Sequence, residues 1–429
     1  MTSDRTLVVA DDLTGATDTG HSFAARGYET VVRVDPEFDA PEAAVLVVDT
    51  DSRYADRDEA AARVRDVVTS TDAAVVYKKI DSTLRGNLGA EIAAAYDVSD
   101  ADAAAVAPAF PSNDRLTAGG YHLVAGELVA NTEAGNDPDS PVETSHVPRL
   151  LGAQVDGTVA HADVERVASR SAVEALSGPA ERPADERLVV VFDVVHDSHL
   201  DVVAAAAQER DGDVLLVGSA GLAEHVRLPG EPTLERPGVA ADPTGVAFGV
   251  AGSANPRTLT QLDALPENRV VDLDAAAAVD DPAVAAAAAA DECLDRLETE
   301  PAVVLASARD RDDVDATLDA AKSATVPQRE ARERVAAALG TAAERVWEAR
   351  EPGGLFLTGG SVAKAVLGRL DAGGVALRGE EVAVGVPAGE VRGGRAHRAP
   401  VVTKAGAFGD DATVVDALDY LRRVPRRSK

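Results

Sequence analysis

Leu7 to Gly20 reads LVVADDLTGATDTG, and the parsing of this stretch decides the fold. A short β-branched run stops at two adjacent carboxylates, Asp11 and Asp12. A Thr-Gly-Ala-Thr-Asp turn then leads into a helix predicted from Asp18 to Arg26. Strand, polar turn and helix in this order open an α/β fold, and in an open parallel sheet ligands bind beyond the carboxyl ends of the strands. Asp11, Asp12 and Thr14 therefore stand where a site is expected. The same residues also suit simple helix capping, with Gly15 relieving a tight turn. A phosphatase with an aspartyl nucleophile opens similarly but needs a second Asp two positions after the first. Leu13 occupies that position relative to Asp11, so that reading loses ground.

Further along, the pattern repeats. Strands are predicted over Thr30 to Val34 and Ala44 to Asp49, and the second ends in the polar run Asp49-Thr50-Asp51-Ser52-Arg53. A helix from Arg57 to Thr69 and a strand from Ala74 to Tyr77 follow. Alternating strands and helices indicate a parallel sheet with helices on both faces. The last strand delivers KKIDSTLRGN, which places Lys78, Lys79, Asp81, Ser82 and Arg85 just ahead of a helix starting near Leu88. Arginine holds a carboxylate through two parallel hydrogen bonds, lysine acts as a mobile point charge, and helix N–H groups favour an anion. The plainer reading is a capped helix with surface charges. The cluster favours an anionic small molecule as ligand.

After the strand Ala103 to Ala107 comes PAFPSNDRLTAGGYH, where two prolines and two glycines make a stiff loop suited to a pocket wall. Arg115 is a second carboxylate-binding candidate. His122 suits either a substrate contact or a structural hydrogen bond. Helices around a strand at Thr158 to His161 are expected between Ser140 and Ser177, and buried strands at Leu188 to Phe192 and Val214 to Val217.

Composition narrows the function. The 429 residues carry 73 acidic and 42 basic side chains, a formal net charge of -31 that argues against nucleic acid as a partner. The acid is spread along the whole chain and only six basic residues are lysine, a pattern suited to a salt-rich cytoplasm where screening is strong. Against that scarcity, Lys78, Lys79, Lys364 and Lys404 lie in motif-like surroundings. The single cysteine, Cys293, excludes an internal disulfide, and the eight histidines form no His-x-x-x-His pair, so no metal ligand is assigned. No basic-then-apolar leader and no run of about 18 apolar residues occurs, so a cytoplasmic protein without a membrane partner is expected.

Four prolines and two glycines between Arg227 and Pro243 read as a linker, assigned to residues 228–243, between domains at 1–227 and 244–429. The second domain begins with a strand from Gly245 to Val250, the turn AGSANP and a helix from Arg257 to Leu265. One helix over the alanine-rich Ala275 to Ala290, a strand from Val303 to Ala306 and a helix from Pro327 to Ala349 are also expected. LFLTGGSVAK, Leu355 to Lys364, repeats strand, glycine turn and helix. The tail supplies another such turn in TKAGAFGDD from Thr403. Bare N–H groups at such turns wrap phosphates, and glycine permits close approach. No Walker string and no G-x-G-x-x-G after a strand is present. Three glycine turns at strand ends suggest a nucleotide site.

Taken together, ADDLTGATDTG, KKIDSTLRGN, APAFPSNDRLTAGGYH, GSANPRTLTQ, LTGGSVAKAVL and TKAGAFGDDATVVDAL, in order over nearly the whole chain, resemble the four-carbon acid sugar kinases. The resemblance implies two α/β domains with mainly parallel sheets, an N-terminal sugar-acid domain, a C-terminal ATP domain and an active-site cleft between them. It implies ATP contacts at Ser253, Thr358, Gly359, Gly360, Ser361, Val362, Ala363 and Gly406, with Lys404 beside them. One departure stands out: Ser361-Val362 replaces the Glu-Thr that often follows Thr-Gly-Gly in the family, so backbone contacts carry over more securely than side-chain ones. The implied reaction moves the ATP γ-phosphoryl group, with Mg2+, to the C4 hydroxyl of erythronate, threonate or 3-oxo-tetronate. Asp12 or Asp81 would orient or deprotonate that hydroxyl, and Arg85 with Lys78 or Lys79 would hold the carboxylate. A nucleotide and sugar-acid sensor without catalysis, or a sugar-acid phosphate hydrolase, are the rivals. Whether the chain acts alone or as a homodimer stays open.

Overall fold

The computed structural model describes residues 4–169, 171–179, 182–183, 186–234, 242–243 and 245–426. Residues 235–241 of the expected linker lie outside the described residues. The chain divides into two compact units, one of Met1–Thr30 with Glu42–Thr233 and one of Val31–Pro41 with Leu234–Lys429. Among the described residues no helix is long and apolar enough to cross a membrane.

The strands, in chain order, are β1 (Thr6–Ala10), β2 (Thr30–Arg33), β3 (Val45–Asp49), β4 (Val75–Lys79), β5 (Ala103–Ala107), β6 (Arg115–Ala118), β7 (Tyr121–Val124), β8 (Glu127–Leu128), β9 (Thr158–Ala162), β10 (Leu188–Phe192) and β11 (Val214–Gly218). They continue with β12 (Ala247–Ala251), β13 (Val270–Asp272), β14 (Ala302–Ala306), β15 (Gly354–Thr358), β16 (Gly374–Ala383), β17 (Val386–Arg392) and β18 (Pro400–Lys404).

In the first unit the order is β3-β1-β4-β11-β5-β10-β9, and every one of these pairings is parallel. Strands covered on both faces read as continuous apolar runs, and β1, β5 and β10 are buried at every residue. The chain leaves β1 for β3 on one side and returns to β4 on the other. That reversal is the switch point at which a parallel sheet opens a crevice beyond its strand ends.

Helix α1 (Leu13–Ala25) starts at once after β1, five residues earlier than the sequence suggests. Asp12 is its N-cap, accepting a 2.9 Å hydrogen bond from the Gly15 N–H, so the Thr-Gly-Ala-Thr segment is the helix's first turn and not a loop. Helices α2 (Arg57–Ser70) and α3 (Leu88–Val98) follow β3 and β4. The stiff loop after β5 contains a small antiparallel sheet, β6-β7-β8, which alternation over four residues was too short to announce.

In the second unit β13-β14-β12-β15-β18 are parallel, and the antiparallel β17 and β16 follow, then β2. Residues 31–41 join this unit: the N–H groups of Val34 and Asp35 donate to the Gly373 carbonyl. The alanine-rich segment is two helices, Ala275–Asp280 and Pro282–Leu297, because Pro282 cannot continue a helix but suits a first position, with Asp281 capping it. A helix at Arg311–Ser323, with only Ala321 buried, was not anticipated; its apolar stripe is too thin to read.

Candidate active site and nucleotide site

Three neighbouring strands of the first unit, β3, β1 and β4, carry the charged residues beyond their carboxyl ends. Arg53, just after β3, is the hub. Its Nε and Nη2 donate to the two Asp11 oxygens at 2.7 and 3.1 Å, and its Nη1 and Nη2 to the two Asp12 oxygens at 2.9 and 2.7 Å. Asp81 Oδ1 lies 3.9 Å from the same guanidinium. Burial would push the Asp11 carboxyl up, but Arg53 beside it, with Lys79 and Lys78, holds it below the ordinary carboxylate range. For Asp81 burial is likewise outweighed, by Arg53 and Arg85, and its carboxyl falls well below that range. The three carboxylates in turn hold the buried Arg53 firmly protonated.

Arg85 is pinned by Asp81, whose Oδ2 accepts from Arg85 Nε at 2.7 Å and from the Thr83 hydroxyl at 2.6 Å. Asp137 Oδ2 stands 3.4 Å from Arg85 Nη1. Arg115 is differently placed: Nη1 donates to the Asn113 carbonyl at 2.6 Å, while its buried Nε has no hydrogen-bond partner. A guanidinium with a spare buried donor near Asp81 and Arg85 is equipped to take an anion.

Neighbouring strand residues point to opposite faces, and the two lysines show it. Lys78 is wholly buried, and its ammonium is spent on the carbonyls of Val9 and Lys79 at 3.2 and 2.6 Å and on Glu91 at 2.7 Å. These three acceptors take up all of its N–H donors. Lys79 lies on the other side, its ammonium against the first turn of α1.

His122 is structural by placement. Fully buried, it donates from Nε2 to the Ser82 carbonyl at 2.9 Å, which leaves Nδ1 to accept from the Thr117 hydroxyl at 3.0 Å. Burial pushes its pKa down to about 4, so the ring is neutral at pH 7 and supplies no charge to an acid. Its linkage has a definite sign. Below about 6.5 the unfolded chain binds the proton that the folded ring refuses, so stability falls as pH drops from about 6.5 to about 4. Denaturant melts across this window should show that slope, and His122→Gln should flatten it.

The second unit presents a different chemistry. β12, β15 and β18 are sheet neighbours, and each carries a glycine turn at its carboxyl end. The Gly252 N–H donates to the Thr358 carbonyl at 3.0 Å, and the Gly359 N–H to the Lys404 carbonyl at 3.3 Å, which laces the three turns together. Gly359 has φ of 95°, and a Cβ there would meet the Ser253 nitrogen and the Gly252 carbonyl carbon at 3.3 Å. A Cβ on Gly406 would sit 2.3 Å from the Ser253 Oγ. The helix Gly360–Arg369 begins directly after, so the N–H groups of Gly360, Ser361 and Val362 have no intrahelical partner; Ala363 is the first to close, onto the Gly359 carbonyl. Such a turn is suited to phosphate. Val362 and Ala363 are buried and Ser361 is exposed.

Lys404 braces the third turn from inside. Its ammonium donates to the Thr258 hydroxyl and to the carbonyls of Ala405 and Gly406 at 2.9 to 3.0 Å, and burial lowers its pKa to about 7. A methyl at Gly406 would crowd the Ser253 hydroxyl, so Gly406→Ala should weaken the binding of a phosphate-bearing nucleotide at these turns tenfold or more, about 1.4 kcal/mol. Calorimetric titration of both proteins with a nucleoside triphosphate checks this.

Among the described residues no group of three or more His, Cys, Asp or Glu side chains is placed to hold a metal ion. The carboxylates of the first unit converge on a guanidinium. In the second, Asp411 pairs with Arg257 at 2.8 Å and Asp410 Oδ1 accepts from the Ala412 N–H and the Thr413 hydroxyl at 3.1 and 3.0 Å. This donor set fits Mg2+ only as an ion held mainly by nucleotide phosphates and water, its usual mode.

Arg53 and Asp137 are the site residues that sequence reading did not single out. Arg53 sat within a polar run whose importance depends on β3 lying beside β1, and strand order is not written in the residues.

The residues match known domain models in the same two blocks. Residues 6–226 match the sugar-binding N-terminal domain and residues 248–414 the nucleotide-binding C-terminal domain. The chain belongs to the four-carbon acid sugar kinase family. Within this family it is 36% identical to a D-threonate kinase of Salmonella typhimurium, over 97% of this chain and 98% of that one. It is 31% identical to a D-erythronate kinase of Heliobacterium modesticaldum, over 97% and 96%. A crystal structure from Salmonella typhimurium LT2 shares the fold of this four-carbon acid sugar kinase family member, with a TM-score of 0.76 at 22% identity over 97% of this chain and 99% of that one.

Proposed function

We propose that this chain phosphorylates a four-carbon sugar acid at its C4 hydroxyl with ATP, giving the 4-phosphate and ADP. The observation that carries this reading is the pairing of two strand-end sites of different chemistry: an arginine and carboxylate cluster in one unit and three laced glycine turns in the other. Residues 1–227 bind the acid, 244–429 bind the nucleotide, and 228–243 join them.

Arg115, with its spare buried donor, and Arg85, fixed by Asp81, take the substrate carboxylate. Asp12 accepts the C4 hydroxyl proton. Its side chain is 24% exposed against 9% for Asp81, and its oxygens are held in a fixed direction by Arg53 and the Gly15 N–H. Asp81, depressed and saturated by donors on Oδ2, acts as a positioning residue for Arg85. The backbone around Ser253, Thr358, Gly359, Gly360, Ser361, Val362, Ala363 and Gly406 holds the nucleotide. Mg2+, bound with it, neutralises charge on the phosphates. Phosphoryl transfer of this kind has little covalent work for the protein, so orientation dominates.

The test is an ADP-release assay with Mg·ATP in molar KCl, a medium matched to the charge of -31, run against D-erythronate, D-threonate, L-threonate and a 3-oxo-tetronate. Turnover on one of them is expected and names the acid. No turnover on any, with ATP still bound in calorimetry, would refute the kinase reading in favour of a sensor.

A further inference from the structure

We infer that Lys79 and the first turn of α1 form the seat of the phosphoryl group in flight, with Gly15 as the residue that keeps the seat open. The inference rests on the kinase reading and assigns a second task to the first unit beyond holding the acid.

Lys79 is 4% exposed; its ammonium is drawn toward Asp11 but makes no hydrogen bond among the described residues. An ammonium whose N–H donors are unspent is equipped to take an anionic ligand. The position of the ammonium says which ligand. A Cβ on Gly15 would lie 2.6 Å from Lys79 Nζ and 2.7 Å from Asp12 Oδ1, so lysine and aspartate flank the same small space over the helix's first turn. The N–H groups of Leu13 and Thr14, at the start of the helix, have no intrahelical partner and add the positive end of a 13-residue helix. An anion is therefore accommodated within reach of the group that takes the hydroxyl proton.

The substrate has its carboxylate at the other end from C4, and Arg85 and Arg115 lie toward Asp81. The anion that belongs beside Asp12 is the one forming on the C4 oxygen. In the step, the C4 oxygen forms a bond to Pγ as its proton passes to Asp12. The bond from Pγ to the bridging oxygen breaks and its electron pair leaves with ADP. Lys79 and the two N–H groups stabilise charge on the equatorial oxygens, interactions made fully only in transit.

Gly15 makes the idea separable from mere architecture. It lies inside a helix with ordinary backbone, where alanine is the better helix former. Gly15→Ala should therefore keep or raise the melting temperature while the added methyl displaces the ammonium and kcat falls.

The experiment compares wild type, Lys79→Met, Lys79→Arg and Gly15→Ala as full chains in molar KCl. The expected result for Lys79→Met is a fall in kcat of about 10²- to 10³-fold with KM for the sugar acid nearly unchanged and partial recovery in Lys79→Arg. With ADP saturating the nucleotide turns, inorganic phosphate should raise the melting temperature of wild type and not of Lys79→Met. Unchanged kcat in Lys79→Met overturns the inference, as does equal phosphate protection of both proteins. A rise in sugar-acid KM with kcat intact would also overturn it, making Lys79 a ground-state contact. Failure of the kinase reading would look different: wild type itself would release no ADP on any acid.

Discussion

Asp12→Asn should lower kcat by about 10²- to 10⁴-fold, the usual range for loss of a positioned general base, with a smaller change in KM for either substrate. Asparagine caps a helix nearly as well as aspartate, so the bond to the Gly15 N–H and the start of α1 survive. What disappears is the proton acceptor and one of the charges facing Arg53. Asp81→Asn is the matched comparison. Asp81 anchors Arg85 through a 2.7 Å bond, so its loss should free Arg85 and raise KM for the sugar acid about tenfold, equivalent to one good anchoring contact. kcat should hold much better than in Asp12→Asn. Steady-state kinetics on both variants decides the assignment: a deeper loss of kcat in Asp81→Asn would make Asp81 the base and Asp12 the cap.

The parts of this arrangement that were legible in sequence are those written locally. β1, β4, β12, β15 and β18 announce themselves as short apolar runs ending in glycine or charge, and the strand-end location of a ligand site follows from the parallel sheet. The three glycine turns were readable one by one; their lacing through Gly252, Gly359 and Gly406 was not, because it depends on β12, β15 and β18 being neighbours. Lys78 and Lys79 illustrate the same limit at the scale of one residue. Both stood out by scarcity, but only the pleat decides that one is spent on Glu91 and two carbonyls while the other faces α1. His122 was open between a substrate contact and a structural bond, and the balance fell on burial, which sequence does not carry. Residues 31–41, adjacent in sequence to the first unit, belong by contact to the second, a crossing that no local pattern signals.

Arg53 is where the cost of this economy shows. Two aspartates are held directly and a third at 3.9 Å by a single guanidinium with 9% exposure. Removing one partner of a buried charge pair typically costs about 3–5 kcal/mol, because the other charge is left without compensation. Arg53→Met should lie in this range at neutral pH, and activity should vanish with the orientation of Asp12. The pH dependence follows from the carboxylates. In wild type Asp11 and Asp81 are depressed, so their contribution is present above the ordinary carboxylate pKa near 4 and is lost only as pH falls through the lower folded values. In Arg53→Met the largest lowering charge on both is gone while burial, the largest influence, remains, so both pKa values move up from their wild-type positions although Arg85 still faces Asp81 and the two lysines still face Asp11. The variant's folded state then holds protons that the wild type's has released, so the stability gap between the two widens as pH rises from the acid side. Urea melts of both proteins at pH 4.5 and 7.5 measure the gap, which should be clearly smaller at the lower pH. A gap independent of pH would mean that Arg53 acts through packing, and that the three carboxylates find their compensation elsewhere.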